Sequence, residues 1–257
     1  MNLRVFGAGY LPRGGGARVK LAAAMVLAGA AALLAGCQSP TTYARGPNFD
    51  RGVGSTAVLV MPIDIELAEL TTGGMIEPHA DWTEQAKSHV SDLLSDDLQA
   101  KDVRRIDYRA PADPERERAI VQVQKLHEAV GNAITTHYFL PRLRGQPQQQ
   151  LPTKQSFDWT LGPAAARLRD EYGSDYALFV HVRDSYSTAG RVALSIVTGV
   201  LFGYVPPGGT QSGFASLVDL RSGDVVWFNL LARGHGDLRT REVAKETVAV
   251  LLKEFPK

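Results

Sequence analysis

Apolar residues change their period repeatedly along this chain, and each change predicts an element. Residues 56–61, TAVLVM, form a β-branched apolar run that ends at Pro62, the pattern of a strand buried on both faces. Ile63, Ile65 and Leu67 then alternate with Asp64 and Glu66, which predicts an extended segment leading to the TTGG turn at 71–74. From Asp81 the period becomes helical, with Ala86, Val90, Leu93, Leu94 and Leu98 on one face, and Asp81 followed by Glu84 reads as a capping box. Residues 103–108 return to a strand. Asp113 and Pro114 open a second helix whose buried stripe is expected to be Ile120, Val123, Leu126, Val130 and Ile134. Residues 137–160 turn polar, with GQPQQQ in the middle, and predict a long exposed loop.

The second half continues the alternation. A short helix over 163–172 precedes the strand YALFVHV (176–182), apolar enough to be central. The runs SGFASLVDL and DVVWFNLL form a hairpin through Arg221, Ser222, Gly223 and Asp224, with Gly223 where a positive φ is needed. A last helix, about 240–254, presents Val243, Val250 and Leu251 to the core. Helices interleaved with strands predict an α/β domain, with α+β as the alternative, built on a single sheet of about five strands covered by helices.

One stretch is unlike the rest. Residues 192–205 run for 14 positions without a charge, bracketed by glycines and by Pro206 and Pro207. Ala193, Ile196, Val197, Val200, Leu201 and Tyr204 fit one helical face, and Gly199 with Gly203 forms a pair of small residues four apart that permits close backbone approach. Fourteen residues are too few to span a bilayer as a helix. Three readings stand open: a buried core helix, a surface for self-association or another protein, and insertion into a membrane. As a partner surface its members are Val192, Ile196, Val197, Gly199, Val200, Leu201, Gly203 and Tyr204.

Composition and charge sharpen the N-terminus. Residues 1–20 hold Arg4, Arg13, Arg18 and Lys20 and no acid, and residues 21–35, LAAAMVLAGAAALLA, are an uncharged apolar run of 15, the layout of a secretory signal. It ends in Leu34, Ala35, Gly36 and Cys37, and Cys37 is the only cysteine, so no internal disulfide forms. This LAGC sequence resembles the lipobox of bacterial lipoproteins. The resemblance implies cleavage before Cys37, diacylation of its sulfur and acylation of its amine, an anchor firmer than one chain provides. Under the lipoprotein sorting pattern, Gln38 rather than Asp after the cysteine implies export to the outer membrane, with the domain on its periplasmic face. The expected organisation is therefore a signal peptide (1–36), a lipidated tether (37–54) with a relaxed reach of about 20 to 25 Å, and a single periplasmic domain (55–257).

Without the four basic signal residues, the chain has 24 basic and 27 acidic side chains and a net charge of about −3. That balance points away from nucleic acid. The glycines of VFGAGYLPRGGG (5–16) lack the strand–helix unit of a nucleotide loop.

Catalytic residues are expected to be absent. Cys37 is committed to lipid, no G-x-S-x-G occurs, and the six histidines (His79, His89, His127, His137, His181, His235) show no H-x-H or H-E-x-x-H spacing. His181 reads as a histidine of the core or strand edge, His235 in RGHGD as a turn residue, and His79 with Glu77 and Asp81 as a helix-entry turn. No metal or cofactor is expected.

The strand AVLVMP, the helix start DWTEQA, the strand DYALFVHV and the hairpin LVDLRSGDVVWFN are together similar to periplasmic lipoproteins related to the curli-secretion lipoprotein CsgG. That group extends to the N-terminal domain of TolB, to lipoprotein activators of peptidoglycan synthases and to auxiliary lipoproteins of transport systems. The resemblance implies an α/β sheet fold. It also implies a non-enzymatic accessory or scaffold in transport, secretion or peptidoglycan synthesis, held to the membrane by acyl chains on Cys37 and contacting an envelope protein or itself. An oligomeric channel-forming lipoprotein and a ligand-binding or hydrolytic periplasmic domain are the alternatives.

Overall fold

Pro62 removes a backbone donor from the middle of an extended apolar stretch, and the chain splits that stretch into two strands. The computed structural model describes residues 42–47, 57–146, 156–203, 205, 209–234 and 237–256. In chain order these form β1 (Tyr43–Arg45), β2 (Ala57–Val60), β3 (Asp64–Leu70), β4 (Ile76–Pro78), α1 (Ala80–Ala100), β5 (Arg104–Asp107) and α2 (Pro114–Ile134). A π turn (Thr135–Phe139), α3 (Leu140–Leu143), a 3-10 turn (Gly162–Ala165), α4 (Ala166–Tyr172) and β6 (Tyr176–Ser187) follow, then α5 (Ala189–Phe202), β7 (Gln211–Asp219), β8 (Val225–Arg233) and α6 (Arg241–Leu251).

The α/β expectation holds, with eight strands in one sheet among the described residues rather than about five. The main order is β1-β8-β7-β6-β2-β5. β6 is the organising strand: β2 lies parallel to its first part, with Val60 opposite Leu178, and β3 lies parallel to its second part, with Leu70 opposite Ser187. β7 and β8 add on its other side as an antiparallel hairpin. The hairpin turn closes as expected, Gly223 at φ 83° donating its N–H to Asp219 O at 2.8 Å. β1, inside the stretch expected to be a tether, pairs antiparallel with β8.

Both sheet faces are covered. One packs Val58, Leu67, Leu178 and Leu217 against Val90, Leu94 and Leu98 of α1 and Val248 and Leu251 of α6. The other packs Leu59, Phe179, Phe214 and Phe228 against Ile120, Val123 and Ile134 of α2 and against Phe139, Phe157 and Leu168. Burial of both faces of β2, β6, β7 and β8 explains the continuous apolar runs in the sequence.

Three local expectations change. α1 begins at Ala80, with His79 at the cap position and no side-chain cap, so Asp81 lies in the first turn and favours the positive end of the helix dipole instead. On α2, Asp113 does cap, accepting from Glu115 N at 2.7 Å and Arg116 N at 3.4 Å, but the buried stripe includes His127 and Gly131 while Leu126 is exposed. The stretch expected as a loop from 137 continues α2 through the π turn, which swings Phe139 into the core against Phe228, ring centroids 5.5 Å apart.

Candidate functional site

Two places on the molecule offer more than packing, and the first is α5. The core-helix reading of this segment does not hold: Val192, Leu194, Ile196, Val197, Val200, Leu201 and Phe202 are all exposed, Val200 by 79% and Phe202 by 76%. At 100° per residue these positions cover an arc of about 200° with Phe202 beyond it, and the half-buried Ser195, Thr198 and Gly199 take the remaining side. Its 14 residues make a rod about 21 Å long. No helix among the described residues is long and apolar enough to cross a membrane.

The rod is fixed only at its root. Thr188 caps it, its Oγ1 accepting from Arg191 N at 3.1 Å. Arg191, the one charged residue of the helix, is folded back and buried, with Nη1 donating to Thr71 O at 3.4 Å. Gly209 N donates to Ser187 Oγ at 3.0 Å, so the chain leaves and re-enters the sheet at one point. Gly199 and Gly203 prove to have local roles. Gly203 ends the helix at φ 65°, and a Cβ at Gly199 would meet Val205 at 3.2 Å.

The hydroxyls of α5 are satisfied by its own backbone. Ser195 Oγ donates to Arg191 O and Thr198 Oγ1 to Leu194 O, both at 2.9 Å. The finger from Val192 to Phe202 therefore carries no charge, and neither hydroxyl needs an outside partner.

The second place is a cleft of about 290 Å³ beside the far end of β2, lined by Asp64, Lys87, Lys125, His127, Glu128 and His181 among others. His181 Nδ1 donates to Asp64 Oδ2 at 2.8 Å, and Arg183 grips both Asp64 oxygens, at 2.9 and 3.2 Å. Burial pushes the Asp64 carboxyl up, but the bonds from His181 and Arg183 outweigh it and hold the group well below the usual carboxylate range. His127, wholly buried, stacks on Phe179 at 3.9 Å and shares a 2.6 Å hydrogen bond with Ser216. Burial, with a smaller push from His181, holds His127 down to about 3, so its imidazole is neutral.

Asp64, Glu128 and His181 offer ligand atoms within 4.8 Å of one another. A cation there would compete with Arg183 for both Asp64 oxygens and face Lys87 and Lys125 across the cleft. The residues fit an ion-pair lock between β3 and β6 better than a metal centre. His79 instead stacks on Trp82 at 3.9 Å and lies 3.6 Å from Glu69, so the Glu77–His79–Asp81 turn assembles no ligand set. Cys37, Gln38, Tyr204 and His235 lie outside the described residues. Sequence reasoning missed that His127 and His181 line one cleft and both pack against Phe214, because the two lie on different elements and share no local motif.

No protein-family model matches the chain, and no curated protein matches it. Among solved structures it is similar to the PelC dodecamer from Paraburkholderia phytofirmans. Identity is 15%, coverage 84% of this chain and 97% of that one, and the TM-score 0.35. It is also similar to the LpoB C-terminal domain from Salmonella enterica, at 10% identity, covering 73% and 86%, with a TM-score of 0.27. At such identities and scores neither likeness carries an assignment of function.

Proposed function

We propose that this protein is a lipid-anchored accessory protein of the bacterial envelope that works by contact rather than catalysis, with α5 as its attachment surface. The observation that carries the reading is the charge-free finger itself. Exposed apolar surface of this extent costs solubility and is kept where something apolar covers it. The lipobox at Cys37 supplies the anchor, and Gln38 directs it to the outer membrane. The cleft supports the same view, because the hydrogen-bonded Asp64–His181 pair is spent on the Arg183 ion-pair lock.

Cys37→Ser tests the anchor: palmitate labelling should be lost and the chain should move toward the soluble periplasmic fraction. Labelling that persists would overturn the lipobox reading. Photo-crosslinkers at Val197 and Leu201, used in intact cells, test the surface. Capture of an envelope protein or of lipid supports it, and capture of neither above a Glu117 control would show that α5 is not a contact surface.

A further inference from the structure

The sheet register aims the N-terminal exit of the chain, from a level opposite Val180 of β6, toward the pole that carries the apolar finger. β6 delivers its C-terminal end, Ser187, to the root of α5, and β3 delivers Leu70 beside it. β7 starts there and pairs Gln211 with Arg233, so β8 ends at that pole too. β1 runs antiparallel to β8, with Tyr43 opposite Asn229 and Thr42 O accepting from Leu230 N at 2.8 Å. Traced backwards from Tyr43, the chain therefore heads toward Arg233 and the finger root. Five residues lie between Cys37 and Tyr43, and these six steps reach about 20 Å at most, comparable with the roughly 23 Å of strand from the level of Tyr43 to Ser187. From β1 to β6 the sheet is three strand spacings wide, about 15 Å. The β3–β4 turn adds Met75 and Ile76, both about two-thirds exposed, to the same pole.

From this we infer that α5 enters the hydrocarbon of the membrane that holds Cys37, as a one-leaflet finger that fixes the orientation of the domain. The inference rests on the lipobox reading for the identity of that membrane. The exposed apolar arc of α5 spans about 200°, with Phe202 beyond it, wider than the stripe a protein groove or a second α5 would cover, and Ser195 and Thr198 on the remaining side are satisfied by the helix itself. A rod of about 21 Å enters one leaflet of a core about 30 Å thick without crossing it. Hydrocarbon demands that polar groups be satisfied internally. Ser195 and Thr198 are, Gly203 N closes onto Gly199 O at 3.1 Å, and Arg191 stays at the root.

The test uses the full chain carrying Val200→Cys, purified with its lipid and reconstituted into vesicles of phosphatidylethanolamine and phosphatidylglycerol. A thiol-reactive environment-sensitive dye should attach once per chain, because acylated Cys37 is blocked. Quenching by nitroxide-labelled acyl chains and protection from aqueous iodide are expected at position 200. The dye on a Glu117→Cys chain should show the reverse. Iodide quenching at 200 equal to that at 117 overturns the inference while leaving the anchor intact. Protection from iodide without lipid quenching overturns it in favour of a protein cover. Two dyes per chain overturn the anchor, and the same measurement on a Cys37→Ser, Val200→Cys chain then reads the finger alone. In that unanchored background, Val200→Asp with Leu201→Asp should weaken vesicle binding at least about tenfold. Unchanged binding would count against insertion.

Discussion

His127 sits in an environment far from its chemistry in water. It is held neutral in the core between Phe179 and Phe214 with Ser216 as its partner. Its folded pKa of about 3 lies below the ordinary 6.5, so the unfolded chain binds the extra proton between those limits. Stability from this group is complete above about pH 6.5 and falls with acid, by about 1.4 kcal/mol per pH unit in the middle of that window. Urea unfolding between pH 4 and 7 should show a shallower acid slope for His127→Gln than for the parent chain. Gly131 tests packing in the same layer. A Cβ there would lie 2.2 Å from Phe214 Cζ, so Gly131→Ala should cost about 1 to 3 kcal/mol in the same assay.

Helices α2 and α5 carry the strongest local signals, and they ended in opposite surroundings. α2 has an Asp113 cap and a proline at its start, both legible in the sequence, and Asp113→Ala should lower stability by about 1 kcal/mol. The stripe of α2 was misplaced at one position because Leu126 and His127 are neighbours, and polarity alone favours the leucine. Only Phe179 and Ser216, supplied by other strands, make the histidine the better fit. The stretch after α2 looked like a loop because a π turn shifts its apolar residues out of helical period, hiding Phe139 from any pattern search. α5 was read as a helix, but its apolar face was expected to be a stripe and proves to be an arc of about 200°, with Phe202 beyond it.

For the molecule as a whole, the finger and the domain are separable. The core lies on the two sheet faces, the root is closed by Ser187 and Gly209, and α5 lends the core no buried apolar side chain. Replacing residues 189–208 by a short Gly-Ser link should therefore change unfolding free energy by no more than about 1 kcal/mol, measured in urea. The same deletion should raise solubility, since the largest exposed apolar surface among the described residues is removed.

Local backbone chemistry sufficed for much of this: the alternation of strands and helices, the Asp113 cap, the Gly223 turn, the uncharged length of 192–205 and the lipobox cysteine are all short-range features readable from neighbours in sequence. Burial and adjacency are different, because a helix immersed in lipid and a helix immersed in protein have the same composition. Strand pairing over long sequence distances placed α5 outside rather than inside, joined β1 to β8, brought His127 and His181 to one cleft, and aimed the N-terminal end of β1 toward the end of the sheet that carries α5.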